Sequence, residues 1–132
     1  MPHADERSSL MAGRYLSLES FRRSGVGVRT PIWFAVAPGD GARTLYVYST
    51  ADSGKAKRIR REGRVRIAAC DMRGAISGAW FEARAAVVEG AEAALGMRLL
   101  DQKYWPWKQM LGLFARFSSR GRVVIAIRDV AG

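Results

Sequence analysis

The sequence contains one histidine and one cysteine in 132 residues. A Ser-His-Asp triad, a Cys-His pair or a histidine-bearing zinc site would each have to be built on His3, in a polar N-terminal stretch of the kind that frays. That argues against all three, and no metal site is expected. Cys70 stands alone, so no intramolecular disulfide can form, which fits a reducing cytoplasm. Long apolar runs are missing too. The longest, Ile32 to Ala37, has six residues, against about 20 for a membrane-spanning helix. Asp5 and Glu6 near the start, with no apolar stretch around them, argue against a secretory signal. A cytoplasmic protein with no membrane partner is expected. Acidic residues are few, 12 against 22 basic ones, for a formal charge of +10. Any chemistry then belongs to something the chain binds rather than to its own nucleophiles.

What is present supports a folded domain. Forty-eight per cent of the residues are apolar, enough for a core. The length favours a single domain over residues 1–132. Residues 1–12 form an N-terminal segment, read as a short frayed helix. Tyr15 to Phe21 is moderately strand-like, and Ser24-Gly25 reads as a hairpin turn. Val26, Val28, Ile32, Phe34 and Val36 then share one face of a strand, with Arg29, Pro31 and Trp33 on the other. Pro31 cannot donate to a central ladder, so it marks an edge, a bulge or a place where something other than a strand faces the backbone.

Pro38-Gly39-Asp40-Gly41 is a turn, and Thr44 to Thr50 alternates strictly, Leu45 and Val47 against Tyr46 and Tyr48. Asp52 or Ser53 offers an N-cap to a basic helix running to about Glu62, with Gly63 as its C′ glycine. Val65, Ile67 and Ala69 alternate with Arg64 and Arg66. Trp80 to Val88 alternates again, Phe81, Ala83, Ala85 and Val87 against Glu82 and Arg84. Glu92 to Tyr104 reads as a helix with Ala93, Met97 and Leu100 on one face. Pro106 interrupts it, a second helix over Lys108 to Arg116 is expected, and Arg122 to Arg128 holds a buried strand. Five or six closely spaced strands with few helices predict a mainly β fold, a small barrel rather than a parallel βαβ sheet.

The segment from Tyr46 to Arg61 carries the chemical signal. A strand ends, a capped turn follows, and a helix begins with Lys55 in its first turn. Helix N-termini expose unpaired N–H groups and the positive end of the dipole. A lysine there opposes the dipole at a cost of about 0.3–1 kcal/mol, a conflict that a docked anion reverses. Gly54 would let a phosphate approach the backbone. Seven of the twelve residues from Lys55 to Arg66 are basic, and such crowding is mildly destabilising unless an anion relieves it. The plainer reading is a solvated basic helix.

This strand–turn–Ser-x-Lys–helix unit, together with Thr30-Pro31-Ile32-Trp33-Phe34, resembles the phosphate-binding region of the split-barrel flavin-binding family. That family includes the pyridoxamine phosphate oxidases. The resemblance, over about Leu16 to Ile127, is nearest to its F420 (deazaflavin)-dependent oxidoreductase branch. It implies a six-stranded split β-barrel of the FMN-binding type, a homodimer with the cofactor in a groove between subunits, and hydride transfer to an unsaturated small-molecule substrate. Carried over, Ser53, Gly54 and Lys55 would hold the cofactor phosphate, and Ser49 and Thr50 would line the ribityl chain. Pro31, Ile32 and Trp33 would lie along the ring, while Lys57, Arg58 and Arg61 would meet the oligoglutamate tail of coenzyme F420. FMN has no such tail and is the alternative cofactor. Tyr48 is the one candidate proton donor.

Other residues have structural readings. The Lys103 to Lys108 segment, with Trp105 and Trp107, reads as a core or interface cluster, or as a substrate-facing wall. Of Trp80 and Phe81, one should meet a dimer partner or a helix. Cys70 reads as a small buried filler, and Asp71 with Arg73 as a turn. Three rival functions remain: a non-catalytic cofactor carrier, an FMN-binding oxidase-like protein, and a nucleic-acid-binding sheet of aromatics and arginines. Against the last, the basic residues gather round one helix instead of along a groove.

Overall fold

The computed structural model describes residues 9–38, 44–104 and 122–131. Residues 9–12 are helical. Then come β1 (Tyr15–Phe21), β2 (Gly27–Trp33), β3 (Ala35–Val36), β4 (Leu45–Thr50), α1 (Gly54–Arg61), β5 (Arg64–Cys70), β6 (Phe81–Val88), α2 (Gly90–Tyr104) and β7 (Arg122–Ala131). Every strand pairing is antiparallel, in one sheet of order β2-β1-β5-β6-β7-β4-β3. The two ends of that order, β2 and β3, are separated in the chain by Phe34 alone. The sheet must therefore curl until its edges come together, giving a half-barrel open along one seam. β3 covers only Leu45 and Tyr46 of β4, and β2 pairs with β1 alone. Among the described residues, the rest of both edges has no ladder partner along the seam.

The strand expected from Val26 to Val36 is thus two strands, and the expected six become seven. The cause lies 70 residues away. The Phe34 N–H donates to the hydroxyl of Tyr104 (3.0 Å), and that hydroxyl lies 2.7 Å from the Phe34 carbonyl and 2.6 Å from the Arg14 carbonyl. Phe34 therefore satisfies its backbone groups with a side chain instead of a ladder. Its own side chain is fully buried. Alternation nevertheless runs on through this point: Ile32, Phe34 and Val36 face the barrel core, while Trp33 and Ala35 pack on the other face with Leu100 and Tyr104.

The barrel interior is apolar. Leu16, Leu18, Leu45, Val47, Val65, Ile67, Phe81, Ile125 and Ile127 fill it, each large side chain contributing about 1.5–3 kcal/mol by burial. The opposite face of β4 and β7 is covered by α2, whose buried line is Gly96, Leu100 and Tyr104. Gly96 is the closest approach: a Cβ there would lie 2.7 Å from a Val124 methyl and 3.0 Å from the Tyr46 ring. On β1, Glu19 is buried between Arg29 (3.0 Å) and Arg66 (3.1 Å), and both guanidiniums lie over Trp80 at 4.5 and 4.8 Å. Phe81 belongs to the core, and Trp80 is occupied by these two arginines.

Three further expectations are corrected. Val26 is 55% exposed, because it belongs to the β1–β2 turn and not to the strand. Gly63 is no left-handed C′ residue. α1 ends on Glu62 in an extended conformation, and a Cβ at Gly63 would lie 2.7 Å from the Ala85 carbonyl oxygen. Cys70 is half-exposed at the end of β5, where burial and Asp71 push its thiol pKa up. Asp71 does make a turn, accepting from the N–H groups of Arg73 and Ala75. The expected Lys108 to Arg116 helix, Trp105, Trp107, and Gly39 to Gly41 of the expected turn lie outside the described residues.

Two stability predictions follow from these contacts. Tyr104→Phe keeps the ring but strands the Phe34 N–H, and should lower the unfolding free energy by about 1–3 kcal/mol in urea denaturation. An unchanged midpoint would show that the hydroxyl contributes nothing. Gly96→Ala gains about 1 kcal/mol of helix propensity, but the clash with Val124 and Tyr46 costs about 1–3 kcal/mol. The expected result is a net loss, and a net gain would show loose packing there.

Candidate functional site

The seam opens into a cavity of about 320 Å³ lined by Tyr15, Pro31, Ile32, Trp33 and Tyr48. β2 delivers three of these from the end of the sheet, where a proline costs no ladder bond. Ile32 also packs against the barrel core. The Trp33 ring is stacked on Tyr104, centroids 4.5 Å apart and planes 6° apart, and is tilted against Tyr15 at 6.5 Å. A wall so fixed suits a flat, largely apolar ring, with unpaired strand edges beside it for the ring's polar margin.

Tyr48 enters the cavity from β4. The Arg122 guanidinium lies 5.2 Å over its ring. Burial raises the Tyr48 phenol above its ordinary value of 10.0, Asp101 pushes the same way, and Arg122 opposes them. The phenol therefore keeps its proton throughout the neutral range and can donate it.

The other end of β4 leads into α1. Ser49, on the strand's inner side and 9% exposed, shares a 2.8 Å hydrogen bond with Ser53. Ser53 is the N-cap, its hydroxyl accepting from the Ala56 N–H at 3.1 Å. Between them the two hydroxyls hold two hydrogens, one used in their mutual bond and one left for a ligand. The N–H groups of Gly54 and Lys55 have no acceptor within the helix. Thr50 is exposed and pairs with Arg122 across the sheet.

Two cations converge on this helix end. Arg58 reaches back along α1, its Nε donating to the Ser20 hydroxyl at 2.7 Å, and a Cβ at Gly54 would lie 2.7 Å from its Nη1. Gly54 thus makes room for a guanidinium over the helix N-terminus. Lys55 is half-buried, and burial first, then Arg58, hold its pKa below the ordinary 10.5. Arg58 is lowered in turn by burial, Arg22 and Arg61. The first turn of α1 has no acidic residue. Two positive side chains and the positive end of a helix dipole therefore meet, with no ion pair to either side chain among the described residues.

The remaining basic residues divide. Arg61 donates to the Phe21 carbonyl, and with Arg58 it ties α1 to the end of β1. Lys57 is exposed and makes no hydrogen bond or ion pair among the described residues. The structure thus groups Pro31, Ile32, Trp33 and Tyr48 in one cavity, and Ser49, Ser53, Gly54, Lys55 and Arg58 at the helix end. Tyr15 and Arg122 are additions that sequence alone did not single out. Tyr15 joins through β1–β2 register and Arg122 through the pairing of β4 with β7, neither of which has a local signature. Among the described residues, no three His, Cys, Asp or Glu cluster as metal ligands, and no helix is long and apolar enough to cross a membrane.

No family model and no curated protein matches the chain. Solved structures do. A conserved hypothetical protein from Mycobacterium tuberculosis is 25% identical, with a TM-score of 0.65 over 96% of this chain and 79% of that one. A pyridoxamine 5′-phosphate oxidase-like protein from Listeria innocua is 19% identical, with a TM-score of 0.64 over 95% and 91% of the two chains. An F420 reductase is 18% identical, with a TM-score of 0.57 over 95% and 93%. The heme storage protein of Vibrio cholerae also shares the fold. The curled antiparallel sheet described above is thus the split-barrel fold of these proteins.

Proposed function

We propose that this protein is an F420-dependent oxidoreductase, transferring a hydride between the deazaflavin and an unsaturated small molecule, as a homodimer with the cofactor in the seam. The observation that carries this reading is the convergence of Lys55 and Arg58, neither ion-paired among the described residues, on the α1 N-terminus, joined by a single strand to an aromatic cavity. A ligand with a flat ring at one end and a phosphate at the other matches both.

In this reading Lys55, the free N–H groups of α1 and the spare Ser49–Ser53 hydrogen hold the phosphate, and Thr50 lies beside the ribityl chain. Pro31, Ile32 and Trp33 lie along the ring. The deazaflavin supplies the hydride chemistry when bound. The chain's own part is to bind, to orient and to exclude water, with the Tyr48 hydroxyl as a proton source. FMN fits the same ring and phosphate positions and is the second reading. Its support is that Arg61 is taken up by the Phe21 carbonyl, which leaves fewer free cations for an oligoglutamate tail.

Titration of tryptophan fluorescence with coenzyme F420 and, separately, FMN tests the proposal. Quenching by F420 at low micromolar concentration, with FMN much weaker, is expected. Tighter FMN binding would move the function to flavin oxidase chemistry. Binding of neither, with salt-sensitive nucleic-acid binding in its place, would overturn both readings. Lys55→Ala should weaken cofactor binding by about 1.5–3 kcal/mol, the range of a charge-assisted contact.

The same residue sets a pH dependence. The protonated amine binds the anion, so affinity is full below the lowered Lys55 pKa and falls as pH rises through it, earlier than for an ordinary lysine at 10.5. Lys55→Arg, charged throughout, should remove that fall. A wild-type affinity that stays flat up to the ordinary lysine range would take Lys55 out of the site.

A further inference from the structure

A second cavity, of about 380 Å³, lies between α2 and β7. Val88, Ala93, Met97 and Val124 wall it, and Glu89 and Arg122 are its charged members. Its size is that of a small-molecule site. Arg122 stands on the boundary between the two cavities: it lines this one, and its guanidinium lies over the ring of Tyr48, which lines the other. Elsewhere in the fold, several arginines are paired with carboxylates. Arg29 and Arg66 share Glu19, Arg64 has Glu82, and Arg128 has Glu92. Arg122 is half-buried, and among the described residues it makes no ion pair and no hydrogen bond.

A guanidinium partly removed from water, with an aromatic face on one side and an apolar wall on the other, can take an anion to balance it, since no carboxylate is paired with it among the described residues. A carboxylate is its natural guest, because the two planar groups form paired charge-assisted hydrogen bonds. Glu89 on the same lining leaves the cavity with one charge of each sign, which disfavours a dianion such as a phosphate. The phosphate chemistry already has the helix end of α1.

We propose that this cavity takes a small molecule with an apolar body and one carboxylate, the carboxylate held by Arg122 beside Tyr48. Resting on the function proposed above, this names the substrate class: the apolar body lies under α2, and the carboxylate end faces the ring cavity. The binding claim itself stands without the cofactor.

The test uses the full chain with phenylpropionate and its uncharged amide as probes, titrated by NMR with the Met97 methyl as reporter. The acid should bind at least about tenfold more tightly than the amide, the lower end of what a charge-assisted contact supplies. Arg122→Gln should abolish that preference, Arg122→Lys should keep part of it, and Glu89→Gln should tighten the acid severalfold by removing a like charge. Fluorescence titration with F420 should give unchanged cofactor affinity in Glu89→Gln. Equal binding of acid and amide by the wild type, or undiminished acid binding by Arg122→Gln, overturns the inference. So does a loss of F420 affinity in Arg122→Gln matching that of Lys55→Ala, which would give Arg122 to the cofactor. Acid bound at Arg122 in a protein that binds no F420 or FMN sustains this inference and overturns the proposed function instead.

Discussion

One hydroxyl group holds the two ends of the sheet in place. The Tyr104 oxygen accepts from the Phe34 N–H and lies within hydrogen-bonding distance of the Phe34 and Arg14 carbonyls. It thereby fixes the point where the chain leaves one edge of the sheet and enters the other. Without such an arrangement, Phe34 would have buried backbone groups lacking partners, or would continue β2 and remove the seam. The same residue's ring supports Trp33 from behind. Closure of the barrel and shaping of the cavity are therefore a single event, carried by the last residue of α2.

Strand β4 joins the aromatic cavity to the helix end around that closure. Its inward positions, Leu45 and Val47, are core, and its last inward position is the half-polar Ser49 that meets the cap of α1. Its outward positions run from Tyr46, covered by α2, to Tyr48 and then to Thr50 beside Arg122. The alternation of a β-strand thus sorts its polar side chains onto two faces of six residues. The strand then hands the chain to a helix whose dipole points its positive end back toward the strand.

What sequence could reveal here was local. The turn at Gly25, the Ser53 cap, the alternating patterns of β4, β5 and β6, and the edge position of Pro31 all rest on residues within one element of each other. Each is where the pattern put it. The break at Phe34 was illegible because it depends on Tyr104, 70 positions further on. Gly63 looked like a helix terminator because nothing nearby announces the Ala85 carbonyl that crowds it. Arg122 carried no signal, since only the pairing of β4 with β7 brings it to Thr50 and Tyr48. The basic run was visible as charge, but which of its members tie α1 to β1 and which gather at the helix N-terminus requires the third dimension.

Unpaired strand edges invite other chains, and sheet proteins guard against strand addition with prolines, charges or coverage. Here the two edges are neighbours across one seam, and β2 carries both Pro31 and Arg29 on its side. An incoming strand and a bound ligand would compete for the same backbone groups. Filling the seam therefore has a protective value separate from any reaction. A ligand lying there, on the function proposed above, would cover the edge as a neighbouring strand does elsewhere in the sheet.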